Sequence, residues 1–314
     1  MLIDVPGVRV GHQSLGDTGV TVVVTEAGAI ASVDVRGGGP GTRETDLLEP
    51  HNTVQQIHAV TLSGGSAFGL AAADGVMQEL EQRGIGFPVL GEDVPGPRVP
   101  IVPGAVIFDL LVGDAAHRPT AADGAAAVRD AFAEPAAAAQ TSGSIGAGCG
   151  ATAGVLRGGF GQASQQVGEF VIAAGVVANP VGAVVDKTTG RLFGDGARAA
   201  VNVNKFNELK GLLTKLNTTI GVVATNAPVT KAQAKRLAMT GHDGLARAVR
   251  PAHSPLDGDT LFALSTGDGT GVGIEEMVAL SAAAADVVEA AIVDAVVHAS
   301  SGYGLTAWQE LVEQ

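Results

Sequence analysis

The sequence predicts an α/β fold in which stacked β-sheets are covered by helices. Strand-like and helix-like segments alternate along the whole chain, and no linker or low-complexity stretch divides it. Several strand-like segments are apolar along their full length, which is typical of sheets covered on both faces. The segments lack the rhythm of a Rossmann fold, so the pattern favours sheets packed on each other between helical layers.

The individual elements follow from composition and periodicity. The predicted strands are short runs of β-branched and apolar residues, at 20–25, 57–63, 170–178, 219–225 and 260–266. The predicted helices span 66–83, 121–133, 230–249, 274–299 and 304–312. Ser66 follows a glycine pair and is predicted to cap the first helix. The polar stretch 186–217 is predicted to be a connection that enters a strand near Thr218.

Composition excludes several classes of protein. Of the 314 residues, 46% are apolar and 16% charged, which allows a sizeable core and argues against disorder. The net charge of −13 argues against nucleic-acid binding, and no basic run is present to bind an anionic membrane. The most hydrophobic stretch, 278–299, carries three acidic residues and is predicted to be a core-packed helix. A single cysteine and a first segment without an apolar signal core predict a cytoplasmic protein.

Two glycine-rich segments, 36–46 and 143–154, resemble phosphate-binding loops at first sight. Neither contains a Walker motif or a dinucleotide-binding motif in a strand–turn–helix frame. Close packing of backbone on backbone is the favoured interpretation, with a pocket wall or a row of N–H donors facing an oxyanion as the alternative. The histidines show no metal-binding spacing, and Cys149 is predicted to be a small buried residue, so we expect neither metal nor cofactor.

The strongest chemical signal is the Asn217-Thr218 pair at the start of a predicted strand. The Thr218 hydroxyl could attack the carbonyl carbon of Asn217, and the amine released by cleavage could then act as its general base. On spacing alone, an ordinary turn entering a strand is the stronger interpretation. Asp257 and Asp259 flank one glycine before another strand, so both carboxylates could face this site, although such a triplet is more often a solvated turn.

Eight stretches in register resemble the self-cleaving aminopeptidase family typified by DmpA and the β-aminopeptidases, which also contains the NylC-type nylon-oligomer hydrolases. They are GVRVGH (7–12), GVTVVV (19–24), VDVRGGGPGTRETDLL (33–48), LSGGSAFGLAAADGV (62–76), VPIVPGAVIFDL (99–110), GSIGAGCGATAG (143–154), NTTIGVVATNA (217–227) and HDGLARAVRPAHSPLDGDTLFALSTG (242–267). The resemblance implies one domain, 1–314, with a four-layer αββα sandwich of the type shared with ornithine acetyltransferases. It also implies self-cleavage before Thr218 into an α chain, 1–217, and a β chain, 218–314.

The resemblance further implies roles for individual residues. Thr218 would be the nucleophile, and Asp257 and Asp259 would be its carboxylate partners. Asn179 matches a position whose side-chain amide, in the nylon-hydrolase branch, donates to the oxyanion. Without the resemblance, a turn residue before Pro180 would be the preferred interpretation of Asn179.

The expected substrate pocket departs from the family pattern at two positions. The residues assigned to it are Phe108, Arg157, Gly64, Gly65 and Ser66. Phe108 stands where some nylon-branch members carry a tyrosine, which removes a hydrogen bond. Val155 stands where the family has a lysine, and Arg157 is the nearest cation. An arginine supplies positive charge but does not transfer protons.

Together these features predict an amide hydrolase that acts through an acyl-enzyme on Thr218. The resemblance implies short peptides with a free amine, β-peptides, amino amides or linear 6-aminohexanoate oligomers as substrates. It also implies a homo-oligomer of αβ units, with a tetramer favoured, and we expect no nucleic-acid or membrane partner. Two alternatives stay open: acyl transfer to an amine, as in ornithine acetyltransferases, and a non-catalytic binding protein that has kept the fold.

Overall fold

The computed structural model describes residues 1–133, 141–212 and 216–312. Its strands are β1 (Val8–Ser14), β2 (Gly19–Val35), β3 (Thr42–Arg43), β4 (Gln56–Ser63), β5 (Phe87–Pro88), β6 (Arg98–Val99), β7 (Gly104–Val106), β8 (Thr152–Ala153), β9 (Leu156–Arg157), β10 (Gly159–Val167), β11 (Phe170–Ala178), β12 (Ile220–Thr225) and β13 (Thr260–Ser265). Its α-helices are α1 (Ala72–Gln82), α2 (Ala121–Ala131), α3 (Val203–Glu208), α4 (Lys231–Ala248) and α5 (Ile274–Val297). β11, β12, β13, α4 and α5 begin and end within two residues of the predicted bounds.

The main strands form one continuous hydrogen-bonded sheet. This sheet folds over so that its two halves, here called the leaves, stack on each other. The strand order along this sheet is β10–β11–β12–β13–β2–β4–β7–β3, with β1 paired to β2. The 17-residue β2 connects the leaves, because its first half pairs with β1 and β4 and its second half pairs with β13. The register between β2 and β4 shifts between Val24 and Ala29, where the two halves of β2 meet.

Three apolar clusters separate four layers. α1 and α2 pack on Val20, Val22 and Val24 of β2, while the intervening Val23 faces the second cluster, between the leaves. α4 and α5 cover the outer face of β11, β12 and β13 and form the third cluster with it. This alternation is the period-two pattern of strands whose two faces are both buried. The architecture is the four-layer αββα sandwich that the sequence predicts.

The two long helices are specified at their starts and along their faces. α4 begins with a capping box, in which the Thr230 hydroxyl accepts from Gln233 N at 3.2 Å and the Gln233 side chain accepts from Thr230 N at 3.0 Å. α5 packs against α4, β10 and β11, as its apolar composition predicts. Among the described residues, no helix is both long enough and apolar enough to cross a bilayer.

The predicted cap at Ser66 is wrong. Gly65 adopts a left-handed φ of +80°, and Ser66 becomes the first residue of a 3-10 helix that runs to Ala71. Ser66 itself has a φ of +52°, which is not the extended conformation of an N-cap residue. α1 therefore starts only at Ala72.

The predicted helix over 304–312 is also wrong, since only a 3-10 turn, Trp308–Glu310, forms there. The stretch 186–217 is a connection as predicted, although it contains the short helix α3. Its residues 213–215 lie outside the described part of the chain.

Candidate active site

The candidate nucleophile lies where the parallel pairing of β12 with β13 continues beyond both strands. Ile220 opposes Thr260 in the regular part of the pair. Three residues earlier on each segment, Asn217 forms a parallel bridge with Asp257. This shared register places Thr218 against Gly258, the glycine between Asp257 and Asp259. The strand register therefore brings the Asn-Thr pair and the Asp-Gly-Asp triplet together.

Thr218 is buried, and both of its polar groups are held. Its hydroxyl donates a hydrogen bond to the carbonyl oxygen of Asn217, the residue before it. Its backbone N–H donates to the carbonyl oxygen of Asn179 at 2.8 Å. A Cβ atom added to Gly258 would lie 2.8 Å from Thr218 Oγ1, so only glycine leaves room for the hydroxyl at this point. The hydroxyl is thus packed against the carbonyl group that it would attack.

Asp259 binds the backbone directly after the candidate nucleophile. Its Oδ1 accepts from Thr219 N at 2.8 Å. Its Oδ2 accepts from the backbone N–H of His253 at 3.1 Å and lies 2.8 Å from His253 Nδ1. The sequence identifies His253 only as one of several histidines, and its position six residues before Asp259 carries no recognisable signal. His253 fixes the carboxylate from the side opposite Thr219.

Asp257 is held by a different set of donors. Its Oδ1 accepts from Val181 N at 2.9 Å, and its Oδ2 accepts from Ser254 N at 3.1 Å. Burial raises the pKa of Asp257, and the nearby carboxylate of Asp259 adds to the rise. Among the described contacts, neither carboxylate bonds to the Thr218 hydroxyl. In the intact chain the pair organises the backbone around Thr218 rather than the hydroxyl itself.

Asn179 follows β11 and is completely buried. Its Oδ1 accepts from the backbone N–H of Thr152 at 2.8 Å, and its Nδ2 donates to the carbonyl oxygen of Phe108 at 3.2 Å. One partner is an obligatory donor and the other an obligatory acceptor, which fixes the orientation of the amide. Asn179 therefore presents its oxygen towards Asn217, while one of the two Nδ2 hydrogens is used by Phe108.

Four oxygens surround the side-chain nitrogen of Asn217. Asn217 Nδ2 lies 3.0 Å from Thr152 Oγ1, 3.3 Å from the Thr152 carbonyl, 3.2 Å from the Pro180 carbonyl and 3.4 Å from Asn179 Oδ1. We call this group the oxygen cage. Thr152 was not among the predicted site residues: it belongs to the glycine-rich segment 143–154, but that segment gave no reason to single out its threonine.

Two cavities meet at the junction. A cleft of about 230 Å³ is lined by Thr218, Phe108, Ser66 and Leu256, among others. We call it the nucleophile cleft. A second, larger cavity of about 710 Å³ lies on the Asn217 side and is lined by Thr152 and Pro180 of the oxygen cage. Phe108 and Ser66, two of the residues assigned to the pocket, therefore lie beside the candidate nucleophile.

The other assigned pocket residues line neither cavity. The Gly65 N–H donates to Asp109 Oδ1 at 2.6 Å, and a Cβ on Gly64 would lie 2.1 Å from Asp109 Oδ2. Burial raises the pKa of Asp109 to about 6. Arg157 is buried and donates through Nη2 to the carbonyl of Cys149. In the structure these residues support the loops behind the site.

The glycine segment 36–39 packs backbone on backbone, as favoured from the sequence. Its N–H groups donate to the carbonyls of the loop that carries the aspartates, with Gly39 N lying 2.8 Å from Asp257 O. A Cβ on Gly37 would lie 2.3 Å from Asp259 N, so the approach requires glycine. Cys149, in the second glycine-rich segment, is buried as predicted. Within the described ranges, no group of three or more acidic, histidine or cysteine side chains could hold a metal ion.

The four-layer fold, with a hydroxyl-bearing residue at the start of an inner strand, defines an amide-bond hydrolase of the N-terminal-nucleophile (Ntn) type. More narrowly, the chain belongs to peptidase family S58, whose profile matches residues 1–307.

Relatives and solved structures agree with this assignment. An uncharacterized aminopeptidase of Mycobacterium leprae is 46% identical over 85% of this chain and 78% of its own. A 6-aminohexanoate-oligomer endohydrolase of a Kocuria species is 33% identical over 84% of this chain and 74% of its own. The L-aminopeptidase D-Ala-esterase/amidase of Ochrobactrum anthropi, described as a variant of the Ntn-hydrolase fold, superposes with a TM-score of 0.76 at 22% identity. That match covers 99% of this chain and 90% of the other.

Proposed function

We propose that Thr218 is the nucleophile of this hydrolase and that the chain creates it by cutting itself between Asn217 and Thr218. The observation that carries the proposal is the contact between the Thr218 hydroxyl and the Asn217 carbonyl group, inside a buried and fully bonded junction. The products are 1–217 and 218–314, which stay together as one αββα domain.

The chemistry of maturation follows from these contacts. Thr218 Oγ1 attacks the carbonyl carbon of Asn217, the bond from that carbon to Thr218 N breaks, and the proton of the hydroxyl passes to the leaving nitrogen. The resulting ester is opened by water, which leaves a carboxylate on Asn217 and a free α-amine on Thr218. The carbonyl of Asn179 already accepts from this nitrogen at 2.8 Å and holds the new amine beside the hydroxyl.

Turnover repeats the same steps on a substrate. The α-amine has an ordinary pKa of about 7.7–8.0, so a neutral fraction is present near pH 7 to take the proton from Thr218 Oγ1. The substrate amide acylates Thr218, its amine leaves with that proton, and water hydrolyses the ester. Asp259 holds the backbone N–H of Thr219, and Asp257 holds the neighbouring loop. The unused Nδ2 hydrogen of Asn179 is our candidate donor to the oxyanion.

The proposed substrates are short amides with a free amine, including β-peptides, amino amides and linear 6-aminohexanoate oligomers. The names of the relatives support this range, and the net charge of −13 attracts cationic substrates. Phe108 lines the nucleophile cleft with an apolar ring, which suits unbranched methylene chains. We also propose a cytoplasmic location and a homo-oligomer, with a tetramer favoured.

A denaturing gel with N-terminal sequencing tests the proposal. The wild-type protein is expected to give two fragments, the smaller beginning with Thr218, and to hydrolyse a β-alanyl anilide and a linear 6-aminohexanoate trimer. Thr218→Ala is expected to remain one chain of 31.2 kDa, because no hydroxyl is left to attack.

Thr219→Ala is the matched control, because the Thr219 hydroxyl has no hydrogen-bond partner among the described residues. This control is expected to mature normally. If Thr218→Ala still splits at the same bond, another protease is responsible and the nucleophile assignment fails. A product that forms only when an acceptor amine is added would identify acyl transfer instead of hydrolysis.

A further inference from the structure

We propose that the oxygen cage is the subsite for the substrate ammonium group, and that it selects acyl groups whose amine is four bonds from the scissile carbonyl carbon. Amides of 4-aminobutanoate have this spacing. The inference rests on the proposed nucleophile, because it uses the chain's own cleavage site as an image of the bound substrate.

The spacing follows from the position of Asn217. Thr218 Oγ1 attacks the Asn217 carbonyl carbon during maturation and the substrate carbonyl carbon during turnover, so both carbons occupy the same place. From that carbon, Cα, Cβ, Cγ and Nδ2 of Asn217 follow in order, which places Nδ2 four bonds away. A 4-aminobutanoyl group reaches the same distance with its terminal nitrogen. The inference requires Asn217 to withdraw from the cage after cleavage, and the emptied cage then opens to the 710 Å³ cavity, which Thr152 and Pro180 also line.

The cage provides hydrogen-bond acceptors almost exclusively. The carbonyls of Thr152 and Pro180 can only accept, and the orientation of Asn179 turns its Oδ1 towards the same point. The hydroxyl of Thr152 donates its hydrogen to Asn179 Oδ1 at 3.2 Å, so its lone pairs face the cage. A primary ammonium group carries three donors and no acceptor and therefore matches this set. The carboxylate of Asp257 lies close by, bonded to the residue after Pro180.

Other amine positions find fewer partners. An α-amine would be two bonds from the carbonyl carbon, in the place of Asn217 N, whose one acceptor among the described residues is the Leu256 carbonyl at 3.3 Å. The amine of a β-alanyl group is three bonds away and stops short of the cage. The amine of a 6-aminohexanoyl group is six bonds away and passes beyond it. The four-bond amine alone contacts all four oxygens.

A pair of substrates tests the subsite in the matured wild-type enzyme. In pentanoyl anilide a methyl group replaces the ammonium of 4-aminobutanoyl anilide, with the same chain length. We expect kcat/KM for the amino substrate to be about 10- to 100-fold higher, the effect of a hydrogen bond to a charged group. Across alanyl, β-alanyl, 4-aminobutanoyl and 6-aminohexanoyl anilides, kcat/KM is expected to peak at 4-aminobutanoyl. Equal rates for the matched pair, or a peak at another length, would overturn the inference.

A variant pair tests the residues. Thr152→Val removes one cage oxygen and keeps the shape of the side chain, so the amino/pentanoyl ratio of kcat/KM should fall about tenfold. Thr188→Val makes the same change in the large cavity outside the cage and should leave the ratio intact. An unchanged ratio in Thr152→Val would contradict the assignment. Rates are counted per cleaved molecule, and if Thr152→Val does not mature, the wild-type series decides.

The proposed function and this inference fail in different ways. Hydrolysis of all the anilides without preference for an amine refutes the subsite and leaves Thr218 as the nucleophile. An uncut chain that hydrolyses none of them refutes the proposed function, and the inference with it.

Discussion

Replacing Gly258 with alanine tests how closely the nucleophile is packed. The added Cβ would lie 2.8 Å from Thr218 Oγ1, about 0.6 Å inside the 3.4 Å at which ordinary contact begins. On its other side the Cβ would meet Gly39 O at 2.8 Å and Pro40 Cα at 3.0 Å. Because those neighbours are backbone, the threonine side chain must move instead.

The size of the effect follows from this displacement. A misplacement of about 1 Å can slow a positioned reaction about 100-fold, so a shift of about 0.6 Å is expected to slow self-cleavage roughly tenfold. The crowding also costs about 1–3 kcal/mol of folding free energy, as overpacked sites usually do. Gly258→Ala should therefore accumulate as an intact, folded precursor that matures slowly.

Pulse-labelling followed by a denaturing gel measures the rate at which the intact chain becomes two fragments. Gly39→Ala is the control, since its Cβ would meet only Asp257 O, at 3.9 Å. Circular dichroism checks that both variants are folded. If Gly258→Ala matures at the wild-type rate while folded, Thr218 Oγ1 does not occupy the position from which it attacks, and the geometric reasoning is wrong.

Four further substitutions probe the surroundings of the site. Asp259→Asn should slow maturation and turnover about 100-fold, because an amide has only one oxygen and cannot accept hydrogen bonds on both sides as the carboxylate does. Asp257→Asn should slow both steps less. Denaturing gels of timed samples measure maturation, and the release of anilide product measures turnover. With pentanoyl anilide, Asn179→Ala should lower kcat by raising its activation free energy by about 2.7–4 kcal/mol, and it should leave KM nearly unchanged. Replacing a purely structural residue would change only the thermal stability. Asp109, with a pKa of about 6 against 3.8 when unfolded, binds more protons in the folded state, so the free energy of unfolding decreases as the pH rises from about 3 to about 7, by roughly 3 kcal/mol. Urea unfolding in a Thr218→Ala background should show that Asp109→Asn removes this fall; a slope that persists would assign it to other groups.

Local sequence was sufficient to predict the central strands of the sheet but not its edge strands. The apolar, β-branched composition of β12 and β13 is specific because both faces of each strand are buried. β10 lies at the end of the sheet path and exposes Gln165 and Gln166, and this mixed composition hides it from a search for apolar runs. β1 escaped the same search because its sequence, VRVGHQS, mixes apolar and polar residues, although its partner is the neighbouring β2. The second half of β2 escaped prediction too, and its partner β13 is distant in sequence.

The residues of the candidate site also divide into those that the sequence reveals and those that only the fold brings to the site. Thr218 and its partner Asn217 are recognisable because the chemistry needs them adjacent in the chain. The Asp-Gly-Asp triplet could be found, but its contacts follow from the register between β12 and β13. Thr152 and His253 lie in two of the stretches that carry the family resemblance, but their contacts with the site arise only through folding, and nothing within those stretches marked either side chain.

The strand order also determines how far the two proposed fragments depend on each other for their structure. β12 and β13 belong to 218–314, yet they lie between β11 and β2, which belong to 1–217. Six residue pairs join the smaller fragment to the larger along each outer edge. Apart from its partner, the smaller fragment would keep α4 and α5 but only two strands, β12 and β13, whose outer edges would both be unpaired, which invites aggregation. The proposed cut would thus yield an obligate heterodimer from one gene product, with the new amino terminus anchored inside a shared sheet.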